Sequence, residues 1–249
     1  MNRPPEAPAR AGRGNGGGSP AARDVGVVIV AAGTGSRVGG RELKQFRWIA
    51  GKPMLLHSVQ RFQSRPDVAM VVCVLPRSVA GDPPPWLFQS DLDRLLVCTG
   101  GRERGDSVYN GLEDLPEECD VALVHDAARP FVDSATIDRV VHAARSGTGA
   151  VPCLPVVDTI KQADDGAVVV RTIPRDGLWR AQTPQGFPRA MIEDAYVRAR
   201  RDGVSATDDA ALCERYGHRV VVVQGCERAM KITSEEDFAR AEAFASAVS

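Results

Sequence analysis

Two cations on one glycine loop are the residues of this sequence whose types and spacing most directly suit chemistry. Between Val27 and Lys44 the chain reads VVIVAAGTGSRVGGRELK. Gly33 and Gly35 lack Cβ atoms, so the backbone there can take positive φ and approach a ligand closely, while Arg37 and Lys44 bring positive charge to the same loop. Exposed N–H groups beside two cations suit a polyphosphate. A dinucleotide loop of the GxGxxG kind comes close, but Val38 stands where its third glycine belongs and no clear acidic residue closes the following strand. A Walker A loop requires Gly-Lys-Ser or Gly-Lys-Thr, and Gly51-Lys52-Pro53 is neither. A tight surface turn without a ligand is the bland alternative for so short a motif.

A second loop repeats the theme. Gly100 and Gly101 follow the apolar run Leu95–Cys98 and precede Val108, Leu112 and Leu115 at helical spacing, so strand, glycine loop and helix recur in that order. Two such loops at the carboxyl ends of parallel strands converge on one crevice. Asp126 lies just past the apolar run Val121–Val124. A carboxylate so placed can hold Mg²⁺ or another divalent cation together with substrate phosphates, which makes Asp126 the metal candidate. Pro130 delays the next helix to about Ser134, too late for Asp126 to cap it. His125 reads as a packed residue with no chemical role.

The elements that must position these residues follow from hydrophobic pattern. Val27–Val30, Val68–Leu75, Leu95–Cys98 and Val121–Val124 are apolar runs that read as strands, the first of the kind expected for a strand buried on both faces of a parallel sheet. Pro53 fits the first turn of a helix carrying Met54, Leu55, His57 and Phe62. Segments 156–161 and 168–172 flank Asp165-Gly166, a hairpin turn signal, and predict an antiparallel arm at about 155–177 that a second subunit would cover. Residues Trp179 to Phe187 read as polar loop. Helices are expected at about 189–201 and 208–216, a last strand at 218–223, and a terminal helix opened by a capping box of Ser234 and Asp237. The expected fold is α/β and Rossmann-like, a mostly parallel twisted sheet with helices on both faces plus the protruding β-hairpin arm. Residues 1–23, rich in Pro, Gly, Ala and Arg, are expected to form a disordered tail, leaving 24–249 as the folded domain.

Composition narrows the class. A chain of 249 residues with 43% apolar residues and a formal net charge of -1 has ordinary globular chemistry, without the charge excess that marks nucleic-acid or membrane-surface binding. The six cysteines are widely spaced, with no CxxC pair, and read as free thiols in a cytoplasmic protein. No apolar run approaches the ~20 residues of a membrane span.

In order along the chain, AAGTGSR at 31–37, Lys44-Gln45-Phe46, GGRERGDSV at 100–108, VHDAARPF at 124–131, DTIK at 158–161, Gln182-Thr183-Pro184-Gln185, Thr207-Asp208-Asp209 and Lys231-Ile232-Thr233 resemble the 2-C-methyl-D-erythritol 4-phosphate cytidylyltransferase family. The resemblance spans nearly everything after residue 24. It implies transfer of a cytidylyl group from CTP to the sugar-alcohol phosphate with release of pyrophosphate, supported by Mg²⁺ or another divalent cation. It further implies that Arg37 and Lys44 stabilise charge on the α-phosphate, and that Arg175 and Lys231 position the attacking phosphate. CTP contacts carry over to Ala31, Ala32, Gly33, Gly35, Gly101, Ser107, Asp126 and Ala127. Those of the acceptor fall on Asp126, Arg129, Thr159, Arg175, Thr183, Thr207 and Lys231. Thr159 lies on the arm, which in this family reaches the partner's site, so a homodimer joined through the β-arm is implied. Leu43 stands where the family commonly has Pro, and Arg102 where many members have Asp or a small polar residue. A ribitol 5-phosphate cytidylyltransferase shares the same loops, and a non-catalytic CTP-binding module is the alternative outside enzymes. At this length, fusion to the later cyclodiphosphate synthase of the pathway is not expected.

Overall fold

A computed structural model describes residues 22–33, 43–205 and 208–246. Most of the expected tail, and the candidates Gly35, Arg37 and Thr207, lie outside the described residues. The strands are β1 (Val25–Val30), β2 (Trp48–Ile49), β3 (Lys52–Pro53), β4 (Val68–Leu75), β5 (Leu95–Thr99), β6 (Val121–Asp126), β7 (Gly149–Pro155), β8 (Ile160–Ala163), β9 (Val169–Ile173), β10 (Trp179–Ala181), β11 (Gln185–Pro188) and β12 (Val220–Gln224). The α-helices are α1 (Met54–Gln63), α2 (Arg77–Ala80), α3 (Arg104–Glu113), α4 (Ser134–Arg145), α5 (Arg189–Asp202), α6 (Asp209–Arg215) and α7 (Glu235–Ser246).

The main sheet has eight strands in the order β10-β7-β11-β6-β1-β4-β5, with β12 on β7. β1 is parallel to both β4 and β6, β4 to β5, and β12 to β7, whereas β10 and β11 run against their neighbours. Side-chain alternation divides the core between the two faces. Val27 and Ile29 join α1 and α4 in one apolar cluster, while Val28 joins α3, α5 and α6 in the other. Continuous apolar strands and helices on both faces are thus one fact seen twice. Register matters most for the site. Val30 stands beside Val74 on one side and Asp126 on the other, and Leu75 stands beside Thr99. The ends of β1, β5 and β6 therefore meet at one edge of the sheet.

Two local expectations need correction. Pro53 is the residue before α1, not its first turn; it pairs in β3 with Trp48 across a tight turn in which Ala50 and Gly51 take positive φ. Trp179–Phe187, read as loop, instead contains β10 and most of β11, two strands of the main sheet joined through a cis Thr183–Pro184 bond. Its polar side chains hid this because they are buried and satisfied. Gln182 donates to the Cys226 carbonyl and accepts from the Cys226 N–H, while Gln185 donates to Asp208 and accepts from the Ala210 N–H. In the arm, β8 and β9 form the expected hairpin, and Ala167 beside Asp165-Gly166 takes a left-handed conformation (φ 59°). The terminal helix has its reciprocal cap, Ser234 N–H to Asp237 and Asp237 N–H to Ser234.

Gly111 marks where α3 lies close on the sheet: a Cβ there would fall 2.5 Å from Val28 Cγ1 and 2.9 Å from Val74 Cγ2. Both valines are fully buried and stiff at χ1, so neither can yield. A Gly111→Ala change gains ~1 kcal/mol of helix propensity but meets an overpacking cost of roughly 1–3 kcal/mol. We therefore expect the variant to be less stable than the parent in urea denaturation, against the usual direction of glycine-to-alanine changes within helices.

Candidate active site

The shared edge opens into a cleft of about 480 Å³. It is lined by Ala31, Ala32 and Gly33 of the first loop, Gly101 and Ser107 of the second, Asp126 and Ala127 after β6, and the lysines Lys44 and Lys231. The two glycine loops touch, since a Cβ on Gly100 would lie 2.3 Å from that of Ala32. The first is held from behind by the buried amide of Gln45, which donates to the Ala31 carbonyl (2.6 Å) and the Gly33 carbonyl (3.2 Å). In the second, Glu103 and Asp106 form a capping box on α3, and the Ser107 hydroxyl accepts from the Gly101 N–H at 3.1 Å. Gly101 has no room for a side chain, because its Cβ would sit 2.1 Å from Asp106 Cβ.

Asp126 carries the charge of the site. Lys231 Nζ lies 2.7 Å from its Oδ2, and Arg104 Nη2 lies 3.5 Å from its Oδ1. Burial pushes this carboxyl upward, but Arg104, Lys231 and Arg129 outweigh burial and hold it down at about 2. It is therefore a carboxylate at neutral pH. Lys44 donates to the carbonyl of Ile232 at 2.8 Å, so both cleft lysines meet at the 231–232 segment. Arg129 and Thr183 brace the Asp126 loop without lining the cleft. Arg129 donates to the Ala229 carbonyl, and the Thr183 hydroxyl accepts from the Asp126 N–H at 3.0 Å. Thr159 and Arg175 stand on the arm, both exposed, with Arg175 donating to the Val157 carbonyl. Neither lines the cleft.

Two groups without a role in the sequence reading belong here. His125 is fully buried behind Asp126, with Nε2 3.1 Å from the Arg129 carbonyl and Nδ1 3.1 Å from the Thr183 hydroxyl. A carbonyl only accepts, so Nε2 carries the hydrogen and Nδ1 accepts from Thr183. The ring thus ties both ends of the Asp126 loop. Arg104 was passed over because its partners Asp126 and Asp209 lie far away in the chain. Only the buried-strand position of Asp126, which demands compensating cations, could have signalled a second cation.

As a metal site, Asp126 fits the mode in which one carboxylate and substrate phosphates share the ion; among the described residues no group of three or more acidic, His or Cys side chains forms a cage. No helix among the described residues is long and apolar enough to cross a membrane. All six cysteines are unbonded.

A mostly parallel sheet with two touching glycine loops, an ionised carboxylate and two lysines at its carboxyl edge defines an α/β protein of the nucleotide-phosphate-binding class. The family model described as 2-C-methyl-D-erythritol 4-phosphate cytidylyltransferase matches residues 25–247. The chain belongs to that family. A relative of that name from Salinibacter ruber is 42% identical over 218 residues, covering 87% of this chain and 91% of the relative. The "Bifunctional enzyme IspD/IspF" of Gluconobacter oxydans is 42% identical over 228 residues, and the match covers 88% of this chain but 56% of that protein. The chain thus spans about half the length of the bifunctional relatives it matches. The crystal structure of the Thermus thermophilus 2-C-methyl-D-erythritol 4-phosphate cytidylyltransferase superposes with a TM-score of 0.74 at 36% identity, covering 88% of this chain and 98% of that one.

Burial lowers the His125 pKa from 6.5 to about 4, so the folded state resists a proton that the unfolded chain accepts. Stability should therefore be full above about pH 6.5 and fall as pH drops toward 4, by on the order of 3 kcal/mol at ~1.4 kcal/mol per unit. Urea titrations between pH 7.5 and 4.5 measure this, and a His125→Gln variant should show a flatter profile in that window.

Proposed function

We propose that the chain transfers a cytidylyl group from CTP to 2-C-methyl-D-erythritol 4-phosphate, releasing pyrophosphate. The observation that carries this reading is the cleft that gathers Lys44, Lys231 and the ionised Asp126 beside both glycine loops. The loop backbones and Lys44 face the triphosphate. Lys231, now on Asp126, is the cation that meets the incoming phosphate. An acceptor oxygen attacks the α-phosphorus in line, the bond to the bridging oxygen breaks, and the pyrophosphate takes that electron pair. Lys44, joined by Arg37 from outside the described residues, stabilises charge that builds on the α-phosphate oxygens. Asp126 would hold Mg²⁺ or another divalent cation, which when bound neutralises phosphate charge. No covalent nucleophile is needed; holding two anions against each other is an orientation problem, worth ~7–11 kcal/mol in favourable cases.

The same reading assigns Arg175 and Thr159 to a partner's cleft within a homodimer. Supporting it, the arm pairs only β8 with β9 in its own sheet and leaves Val157, Val168, Val169 and Val170 between 57% and 65% exposed. A two-stranded hairpin of that kind is marginal alone and calls for a covering surface. The unbonded cysteines suit the reducing cytoplasm, where we place the protein.

Incubation with CTP, Mg²⁺ and either polyol phosphate should release pyrophosphate faster with methylerythritol phosphate; faster turnover with ribitol 5-phosphate, or none with either, overturns the assignment. Arg175→Met and Lys231→Met should each lose at least ~100-fold in kcat/KM, the scale set by single phosphate-stabilising contacts. Mixing the two variants after subunit exchange should restore about a quarter of parental activity, because half the dimers are mixed and each holds one intact site. Activity no higher than either variant alone would exclude sharing of the arm.

A further inference from the structure

The two cations in contact with Asp126 are held very differently. Lys231 reaches it at one oxygen with a side chain that is 45% exposed, whereas Arg104 is gripped from behind. Arg104 Nη1 and Nη2 form a fork on Asp209, at 3.0 and 2.8 Å, and Asp209 is fully buried at the start of α6. The Tyr196 hydroxyl of α5 donates to the same carboxylate at 2.6 Å. A buried carboxylate bonded by a planar fork and a hydroxyl leaves the guanidinium little freedom to turn. The remaining edge of Nη2 faces Asp126 in the cleft.

We propose that Arg104 is a positioning residue of the nucleotide half of the site. Locked by Asp209 and Tyr196, it fixes Asp126 and the first turn of α3 relative to each other, and leaves Lys231 as the cation that moves to an incoming phosphate. α3 carries Ser107, which holds Gly101, so the same brace sets the second glycine loop against the carboxylate. The inference rests on the assignment of CTP to this cleft.

The test is calorimetric CTP binding with Mg²⁺ and no acceptor, with turnover measured in parallel. Tyr196→Phe removes one hydroxyl from a group that touches no substrate; Arg104→Lys keeps the charge and removes the fork. We expect Tyr196→Phe to weaken CTP binding about 3-fold to 10-fold and to raise KM for CTP in proportion, with KM for the acceptor within about twofold of the parent. Arg104→Lys should weaken it at least as much, and adding Tyr196→Phe to it should cause no further loss, since the tyrosine acts through the arginine. Unchanged CTP affinity in Tyr196→Phe, a rise in KM confined to the acceptor, or additive losses in the double variant would overturn the positioning role. Failure of the parent protein to bind CTP would instead overturn the nucleotide assignment, and the inference with it.

Discussion

A carboxylate at the end of a buried strand stays ionised only where cations are brought to it, and the cleft is organised around that requirement at Asp126. Transfer of an isolated charge from water costs far more than one residue of stability can cover, so the charge either neutralises or acquires partners. Here it acquires Arg104 and Lys231 in contact, with Arg129 adding positive charge from further off. Each addition propagates. Arg104 stabilises Asp209, which has no solvent exposure, and Asp209 in turn receives the Tyr196 hydroxyl; burial and the neighbouring carboxylate push that phenol far above its usual range. Segments about a hundred residues apart are joined by one chain of charge.

Geometry comes from the sheet. With Val30 in register beside both Val74 and Asp126, the sheet itself places the strand ends from which the loops depart. The loops then need only approach closely, and the glycines allow it: Gly100 lies against Ala32, and Gly101 against Asp106. Charge and register are complementary here, because the register delivers Asp126 to an edge that the cations can reach from several directions.

This division explains what was legible in the sequence. The parallel half of the sheet was readable from Val27–Val30, Val68–Leu75 and Val121–Val124, because strands buried in the middle of a sheet are apolar nearly throughout, and from Leu95–Cys98, which is apolar although it forms the edge strand and leaves Leu96 40% exposed. The antiparallel insertion β10–β11 was not, since Gln182, Thr183 and Gln185 are polar residues buried by partners distant in sequence, and composition alone assigns such residues to loops. Asp126 and the glycine loops were visible as motifs. The brace behind them was not, because the pairing of Arg104 with Asp209 exists only once α3 and α6 have docked. His125 was read correctly as packed, but its two ring bonds, which tie Thr183 to the Arg129 carbonyl, required the fold to be known. Arg37, Gly35 and Thr207 lie outside the described residues.

The parts of the cleft also differ in how firmly they are held, and the difference fits the demands of the proposed two-substrate reaction. A triphosphate must be met by a surface already in place, since reordering on binding would subtract from affinity. The half assigned to the nucleotide would meet this need with Gln45 behind Ala31 and Gly33, the capping box and Ser107 behind the second loop, and the forked Arg104 beside Asp126. A second anion entering beside the first needs a cation that can change partner, and a lysine on a flexible stem can do what a clamped guanidinium cannot. Lys231, half-exposed and bonded to Asp126 at one oxygen, has that freedom. If both cations were fixed, the carboxylate would stay fully compensated and nothing would turn toward the acceptor. If both were loose, Asp126 would lose its orientation as soon as the acceptor drew them away. One clamped and one movable cation on a single carboxylate is the arrangement that satisfies both conditions.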